Sequence, residues 1–275
     1  MASVAHNVER LHDRLSSLSS NRLLDINLET FVHIIMELGE DQRMAIKLMD
    51  RKKTSKRRFL QEFCVSSFLL SHPNIIGRFG ITFRTQKYFG FAQEVAPIGD
   101  LSKVGMSEDL GKRCAPQIAS ALDFMHSQGI VHRDIKLDNI LLMDHECHVI
   151  KLADFGLARL QGTDAPLMSW FIPYTAPELC SLKAGEQLLL HPSVDVWSFG
   201  VLLYTALTGS FPWKEAEDSD QMYRDFAWWQ MIKDLTSAPG KWRKFSIEAR
   251  RMFWEILDPA RGNESLSGSP VIWLL

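Results

Sequence analysis

The spacing of apolar residues changes near residue 100. Before it, short runs of branched and aromatic residues alternate with polar turns. VHIIM at 32–36 and MAIKLM at 44–49 read as strands on either side of a turn at 38–42, preceded by a further strand beginning near residue 22. FLQEFCVSSFLL at 59–70 instead repeats its apolar positions at helical spacing, and HPNI at 72–75 ends that helix. GITFRTQKYFGFAQEVA at 80–96 reads as a hairpin leading to an edge strand. From residue 107 the texture is helical. Ser107 before Glu108 and Asp109 is a helix start, because the hydroxyl caps free amides and acids suit the positive end of the helix dipole. That helix is expected to reach about Ser127, with Pro116 kinking or weakening it. Short strands near 140–142 and 148–153 and an irregular stretch to about 178 follow. VDVWSFGVLLYTALTG at 194–209 is hydrophobic nearly all round and predicts a buried helix. Further helices are expected at 219–234 and 246–257, and no internal repeat is evident. A strand-rich front and a helix-rich back predict an α+β chain of two lobes with a cleft between them.

Composition narrows the classes. Hydrophobic residues make up 46% of the 275, enough for a sizeable core. The net charge of −2 argues against nucleic acid or an anionic membrane as a main partner. The start, MASVAHNVERLHDRL, lacks an apolar signal core, and no run reaches the roughly 18 apolar residues of a membrane helix. Cys64, Cys114, Cys147 and Cys180 are widely separated and form no CxxC pair, which argues against zinc and predicts reduced thiols in the cytoplasm. RKKTSKRR at 51–58 reads as a solvated loop or helix face rather than a nuclear signal. The chain is expected to be a monomer.

Four motifs stand in one order: MAIK at 44–47, HRDIKLDN at 132–139, DFG at 154–156 and APE at 176–178. Together they resemble the protein kinase superfamily over roughly residues 23–258. The resemblance implies the bilobal kinase fold: a small β-rich N-lobe with one key helix (22–96) and a larger α-helical C-lobe (97–260). A polar lead-in (1–21) and an atypical tail (261–275) flank them. It also implies transfer of the terminal phosphoryl group of ATP, with Mg2+, to a protein hydroxyl. FAQEVAPIGDL, ALDFMHSQGIVHRDIK, IPYTAPELC and DFAWWQ look more closely like the SH3 domain-binding kinase family of serine/threonine kinases. The chain contains no PxxP, so an SH3 partner is not supported.

The resemblance assigns roles residue by residue. Asp134 accepts or orients the proton of the substrate hydroxyl, and Lys136 stabilises the moving phosphoryl group. Asn139 and Asp154 hold magnesium through oxygen. Lys47 reaches the inner phosphates, anchored by Glu62. Glu94 and Ala96 offer backbone groups to adenine behind a gatekeeper at Gln93, Asp100 faces the ribose, and Ile26, Ile34, Ala45 and Leu141 sandwich the ring. Arg133 pairs with a phosphate or an acid in the 157–175 segment, where Thr163 and Ser169 are candidate phosphosites. Asp195 pins the catalytic loop, and Gly156 frees the backbone beside Asp154. His132 is structural, and Phe155, Trp197 and Phe199 are core.

Some positions depart from the family pattern. Aligned on Lys47, the three glycine places of the phosphate-covering loop hold Asn27, Glu29 and Val32. A carboxylate about 5 Å from a phosphate costs about 3 kcal/mol at an effective dielectric near 20, before solvent and magnesium screen it. Trp170 and Phe171 replace the usual Gly-Thr before APE. The segment after Asp100 is short, and NESLSGSPVIWLL does not resemble the final helix of the fold; Glu178 usually pairs with an arginine near that helix, and Arg261 fits the spacing poorly. These departures set a pseudokinase, a binding or scaffold module with weak nucleotide binding and weak or no catalysis, beside the active enzyme.

Overall fold

The computed structural model describes residues 31–37, 43–166, 172–182 and 186–259. They form two compact units, one of residues up to 67 together with 77–95, the other of 68–76 and the residues from 96 onward.

The first unit is a four-stranded antiparallel sheet and a helix. Its strands are β1 (Phe31–Glu37), β2 (Arg43–Asp50), β3 (Arg78–Arg84) and β4 (Tyr88–Gln93), in the order β1-β2-β4-β3. The expected hairpin is present, but β3 is its edge strand and β4 lies inside the sheet. Burial agrees with this order: Phe89 to Gln93 are all buried, whereas β3 is largely exposed or half-buried. Period-two alternation divides β2 between two cores. Met44, Ile46 and Leu48 pack with Ala92 on one face, and Met49 packs with Phe59, Phe89 and Phe91 on the other. Phe59 belongs to α1 (Lys56–Phe68), which therefore covers the face that also carries Ala45 and Lys47. The Ser55 hydroxyl accepts from the Arg58 amide at 3.2 Å and caps α1.

The second unit is helical, with short β ladders. Gly99–Asp100 (β5), Ile140–Leu142 (β7) and Ile150–Leu152 (β8) form one three-stranded sheet, and Ile130–Val131 (β6) pairs with Arg159–Leu160 (β9). Helix α2 (Glu108–Ser127) begins as the sequence predicts, with Ser107 Oγ accepting from Leu110 N at 3.2 Å. It runs continuously through Pro116, which lies in its interior. Packing of Cys114, Ala115, Ile118, Ala119 and Leu122 into the core outweighs one missing backbone bond. The segment 68–76 joins this unit through Asn74, whose side-chain amide donates to Gln117 Oε1 at 2.9 Å and to the Ile150 carbonyl at 3.0 Å.

Beyond β10 (Asp164–Pro166), α3 (Pro177–Cys180) and β11 (Gln187–Leu189) comes α4 (Ser193–Thr208). It is buried nearly all round and closed by Gly209 at φ +68°. Helices α5 (Gln221–Ile232) and α6 (Ile247–Ile256) pack beside it. A Cβ on Gly200 would come within 2.6 Å of Leu257, so only glycine lets α4 meet the end of α6 this closely. Among the described residues no helix is long and apolar enough to cross a membrane.

Candidate functional site

In the first unit, Lys47 and Glu62 meet as their positions imply. Lys47 Nζ lies 2.6 Å from Glu62 Oε1, and the two residues are 3% and 1% exposed. One neighbour was not legible in the sequence. Arg78 lays its guanidinium 3.7 Å from the Phe91 ring centroid and 4.8 Å from that of Phe63. Burial pushes its pKa down to about 10, partly offset by attraction to Glu62. No short motif marks an arginine at the start of an edge strand, so only the fold reveals that Glu62 feels two cations.

Ile34, Ala45, Lys47 and Gln93 lie on strands of the one sheet. Gln93 stands directly opposite Ala45. The β1–β2 register sets Ile35 opposite Ala45 and Ile34 opposite Ile46. Val32 falls within β1, opposite Leu48. The Glu94 amide donates to the Gly77 carbonyl at 2.8 Å, and its carboxylate accepts from Gly77 N at 3.0 Å. Ile26, Asn27 and Glu29 lie outside the described residues.

In the second unit, the loop after β6 is organised by Asp195. This aspartate, at the start of α4, is fully buried. Its Oδ2 accepts from His132 N at 2.7 Å and from the His126 ring at 2.9 Å, and its Oδ1 accepts from Arg133 N at 2.8 Å. Burial alone would raise its pKa, but His126 and these donors hold it below the ordinary carboxylate value. The pinning lets Arg133 adopt a left-handed φ of 69°, costly for a residue with a Cβ. Arg133 is half-buried, and burial and the nearby Arg159 lower its pKa. His132 is buried and structural: Nδ1 accepts from Asp134 N at 3.2 Å, Nε2 donates to the Ala153 carbonyl at 3.1 Å, and its ring meets Phe155 edge-on.

Asp134 is held on both oxygens. Lys136 Nζ is 3.1 Å from Oδ1, and Asn139 Nδ2 donates to Oδ2 at 2.8 Å and to the Asp134 carbonyl at 2.7 Å. Burial raises the pKa of Asp134; Lys136 and His132 oppose the rise, and Asp154 adds to it. Asp154 adopts a left-handed φ of 65°, and its Oδ1 accepts from Gly156 N at 3.3 Å. The unusual backbone thus falls on Asp154 itself. Gly156 supplies the amide that orients the carboxylate.

Asp100 and Leu141 are brought opposite each other on β5 and β7. Asp100 also caps the short helix that follows, accepting from Ser102 N at 3.1 Å and pairing with Lys103 at 3.0 Å. Ala96 accepts from Gly99 N at 3.2 Å in the turn before β5. A pocket beside Asp134 is lined by Arg133, Lys136, Tyr174, Thr175, Val194 and Ser198. Tyr174 and Thr175 are sequence neighbours of the APE motif whose place in this wall was not legible; the Ser198 hydroxyl fixes it by donating to the Tyr174 carbonyl at 2.9 Å. The Thr163 hydroxyl donates to the Leu160 carbonyl at 2.7 Å, which gives it a local structural task. Ser169, Trp170, Phe171 and Arg261 lie outside the described residues. Glu178 is half-buried with a pKa raised by burial, and no described arginine pairs with it.

Asn139 and Asp154 offer an amide oxygen and a carboxylate, hard donors of the kind Mg2+ takes. The Asn139 amide nitrogen is committed to Asp134, which orients its oxygen as the remaining ligand atom. The donor set fits the ion.

Residues 30–263 match the family model described as protein kinase domain. The chain is 41% identical over 265 residues to the zebrafish (Danio rerio) protein named serine/threonine-protein kinase SBK1, covering 89% of this chain and 68% of that one. The mouse (Mus musculus) protein of the same name is 43% identical over 82% of this chain and 55% of its own length. The rat (Rattus norvegicus) serine/threonine-protein kinase SBK2 is 37% identical, with 92% and 70% covered. The chain thus spans between about half and seven-tenths of these relatives.

Proposed function

The chain belongs to the protein kinase family, on its serine/threonine-kinase side, and from that premise we propose that it is a competent enzyme that moves the γ-phosphoryl group of ATP onto a serine or threonine of a protein substrate. The observation that carries this reading is Asp134, held on one oxygen by Lys136 and on the other by Asn139. A buried carboxylate with a raised pKa is a better proton acceptor than an exposed one.

The substrate hydroxyl oxygen attacks the γ-phosphorus, the bond to the bridging oxygen breaks, ADP departs, and the hydroxyl proton passes to Asp134. Lys136, already beside Asp134, stabilises the charge spread over the transferring group. Lys47, fixed by Glu62, is the cation for the inner phosphates. Asn139 and Asp154 are the residues to hold Mg2+, which supplies charge neutralisation on the phosphates when bound. The pocket walled by Tyr174 and Thr175 is the place for the peptide around the acceptor hydroxyl. Four free cysteines suit a reducing compartment, and we place the protein in the cytoplasm.

The test is phosphorylation of a generic basic or casein-like substrate by purified protein, with Asp134→Asn as control. Signal that persists in the variant is contamination and removes the reading. The pseudokinase reading draws on one observation, the glycine-free stretch with Asn27, Glu29 and Val32. It requires no thermal shift with Mg·ATP. The enzyme reading requires a clear one, tightened by Glu29→Gly.

A further inference from the structure

The basic run at 51–58 has no part in the chemistry above. Residues 50–58 carry six cations against one carboxylate, a local +5 in a chain of net −2, which leaves −7 elsewhere. Lys52, Lys53, Lys56, Arg57 and Arg58 are all exposed, and none forms an ion pair with a described residue. Three of them fill the first turn of α1, which has no acidic residue. The helix dipole disfavours cations there, so the arrangement costs stability in the free protein.

The run is folded rather than extended. The amides of Lys53 and Thr54 donate to the Asp50 carbonyl at 3.0 and 2.8 Å, and that of Lys52 to Asp50 Oδ1 at 2.8 Å. Arg51 turns back to the β3–β4 turn, donating to the Thr85 and Gln86 carbonyls at 2.8 Å each. This joins exposed Arg84 and Lys87 to the same end of the sheet. Hydrogen-bonded backbone presents the cations at fixed positions, which lowers the ordering cost of binding. It also withholds the extended conformation that a basic targeting peptide needs.

We propose that this end of the first unit is a docking surface for an acidic segment of a protein partner, foremost a substrate. The proposal rests on the kinase reading only for the partner's identity as substrate. The charge distribution selects the partner class. A broad polyanion such as a membrane or a nucleic-acid duplex gains no net attraction from the rest of the chain, whose charge sums to −7. A short acidic peptide fits within the cationic patch alone.

The experiment is fluorescence anisotropy of a labelled Glu/Asp-rich peptide with the full chain, alongside co-sedimentation with phosphatidylserine vesicles. The variant is Lys53→Glu/Lys56→Glu/Arg57→Glu. It places acids where the helix dipole favours them, so loss of binding is not loss of fold; its melting temperature checks this. Lys214→Glu/Lys244→Glu is the control on another surface. The expected result is peptide binding that weakens about tenfold in the triple variant and in high salt, and not in the control. A triple variant that binds as the parent does, a parent that does not bind at low salt, or a preference for vesicles over peptide overturns the proposal. Binding needs no catalysis, so an inactive chain that still binds the peptide refutes only the kinase reading. For an active chain, the triple variant raises KM for a substrate fused to the acidic segment and leaves KM for the unfused substrate unchanged.

Discussion

Lys47 and Glu62 are fifteen residues apart in the chain and 2.6 Å apart in space, both almost wholly buried. Removing one partner strands the other's charge. Lys47→Met is therefore expected to destabilise the fold by about 3–5 kcal/mol as well as to abolish transfer. The double variant Lys47→Met/Glu62→Leu regains most of the stability, because an apolar pair fills the site, but none of the activity. Urea unfolding and phosphate transfer measured on the same preparations check both halves. A double variant as unstable as the single one would mean that the pair is not energetically coupled.

Asp134 stores a conflict between stability and chemistry. Its raised pKa means that the folded protein holds this proton more tightly than the unfolded chain does. Stability from this group is full below the unfolded pKa and is lost as pH rises through the higher folded pKa. At neutral pH the ionised carboxylate is a burden, so Asp134→Asn is expected to melt no lower than the parent while losing all transfer. The acid limb of kcat/KM in the parent falls above the ordinary carboxylate range, since only ionised Asp134 accepts the proton. Differential scanning fluorimetry and a pH–rate profile make the two measurements.

Several of these local arrangements were legible in the sequence, for identifiable reasons. The motif spacings singled out Asp134, Lys136, Asn139 and Asp154, and period-two alternation put Lys47 on the face of β2 covered by α1. Capping chemistry located the start of α2 to the residue. What stayed hidden depends on long-range geometry. The register that sets Ile35 opposite Ala45 comes from the β1–β2 pairing, which a count along the chain does not give. The inner place of β4 follows from which strand pairs with which. Arg78 reaches the neighbourhood of Glu62 only because β3 lies beside the Phe91 strand. Pro116 misled because its local penalty is small against the apolar surface that α2 buries.

Asp195 shows the opposite sign from Asp134. Its folded pKa is depressed, so its contribution is present above the unfolded value and is lost as pH falls through the folded one. Asp195→Asn puts an amide donor where the His132 and Arg133 amides and the His126 ring need acceptors. The expected cost is several kcal/mol at neutral pH, with loss of activity as the Arg133 backbone relaxes from its left-handed conformation. The gap between parent and variant should narrow as pH falls below the ordinary carboxylate value, where the unfolded chain takes up the proton before the folded one does. Denaturant midpoints across that range test this, and a gap independent of pH would place the effect elsewhere.

Arg78 is the residue whose replacement should improve the protein. Its guanidinium is packed between aromatic rings, and burial holds its pKa down to about 10. The cation–π contact returns at most about 2 kcal/mol, whereas burying an ion incompletely solvated by the protein costs several. Arg78→Met keeps the volume against Phe63 and Phe91 and removes the charge. The expected outcome is a rise in melting temperature of a few degrees. Lys47 is then the one that remains of these two cations beside Glu62, so transfer activity should hold or increase. A lower melting temperature would show that attraction between Arg78 and Glu62 outweighs the cost of burial.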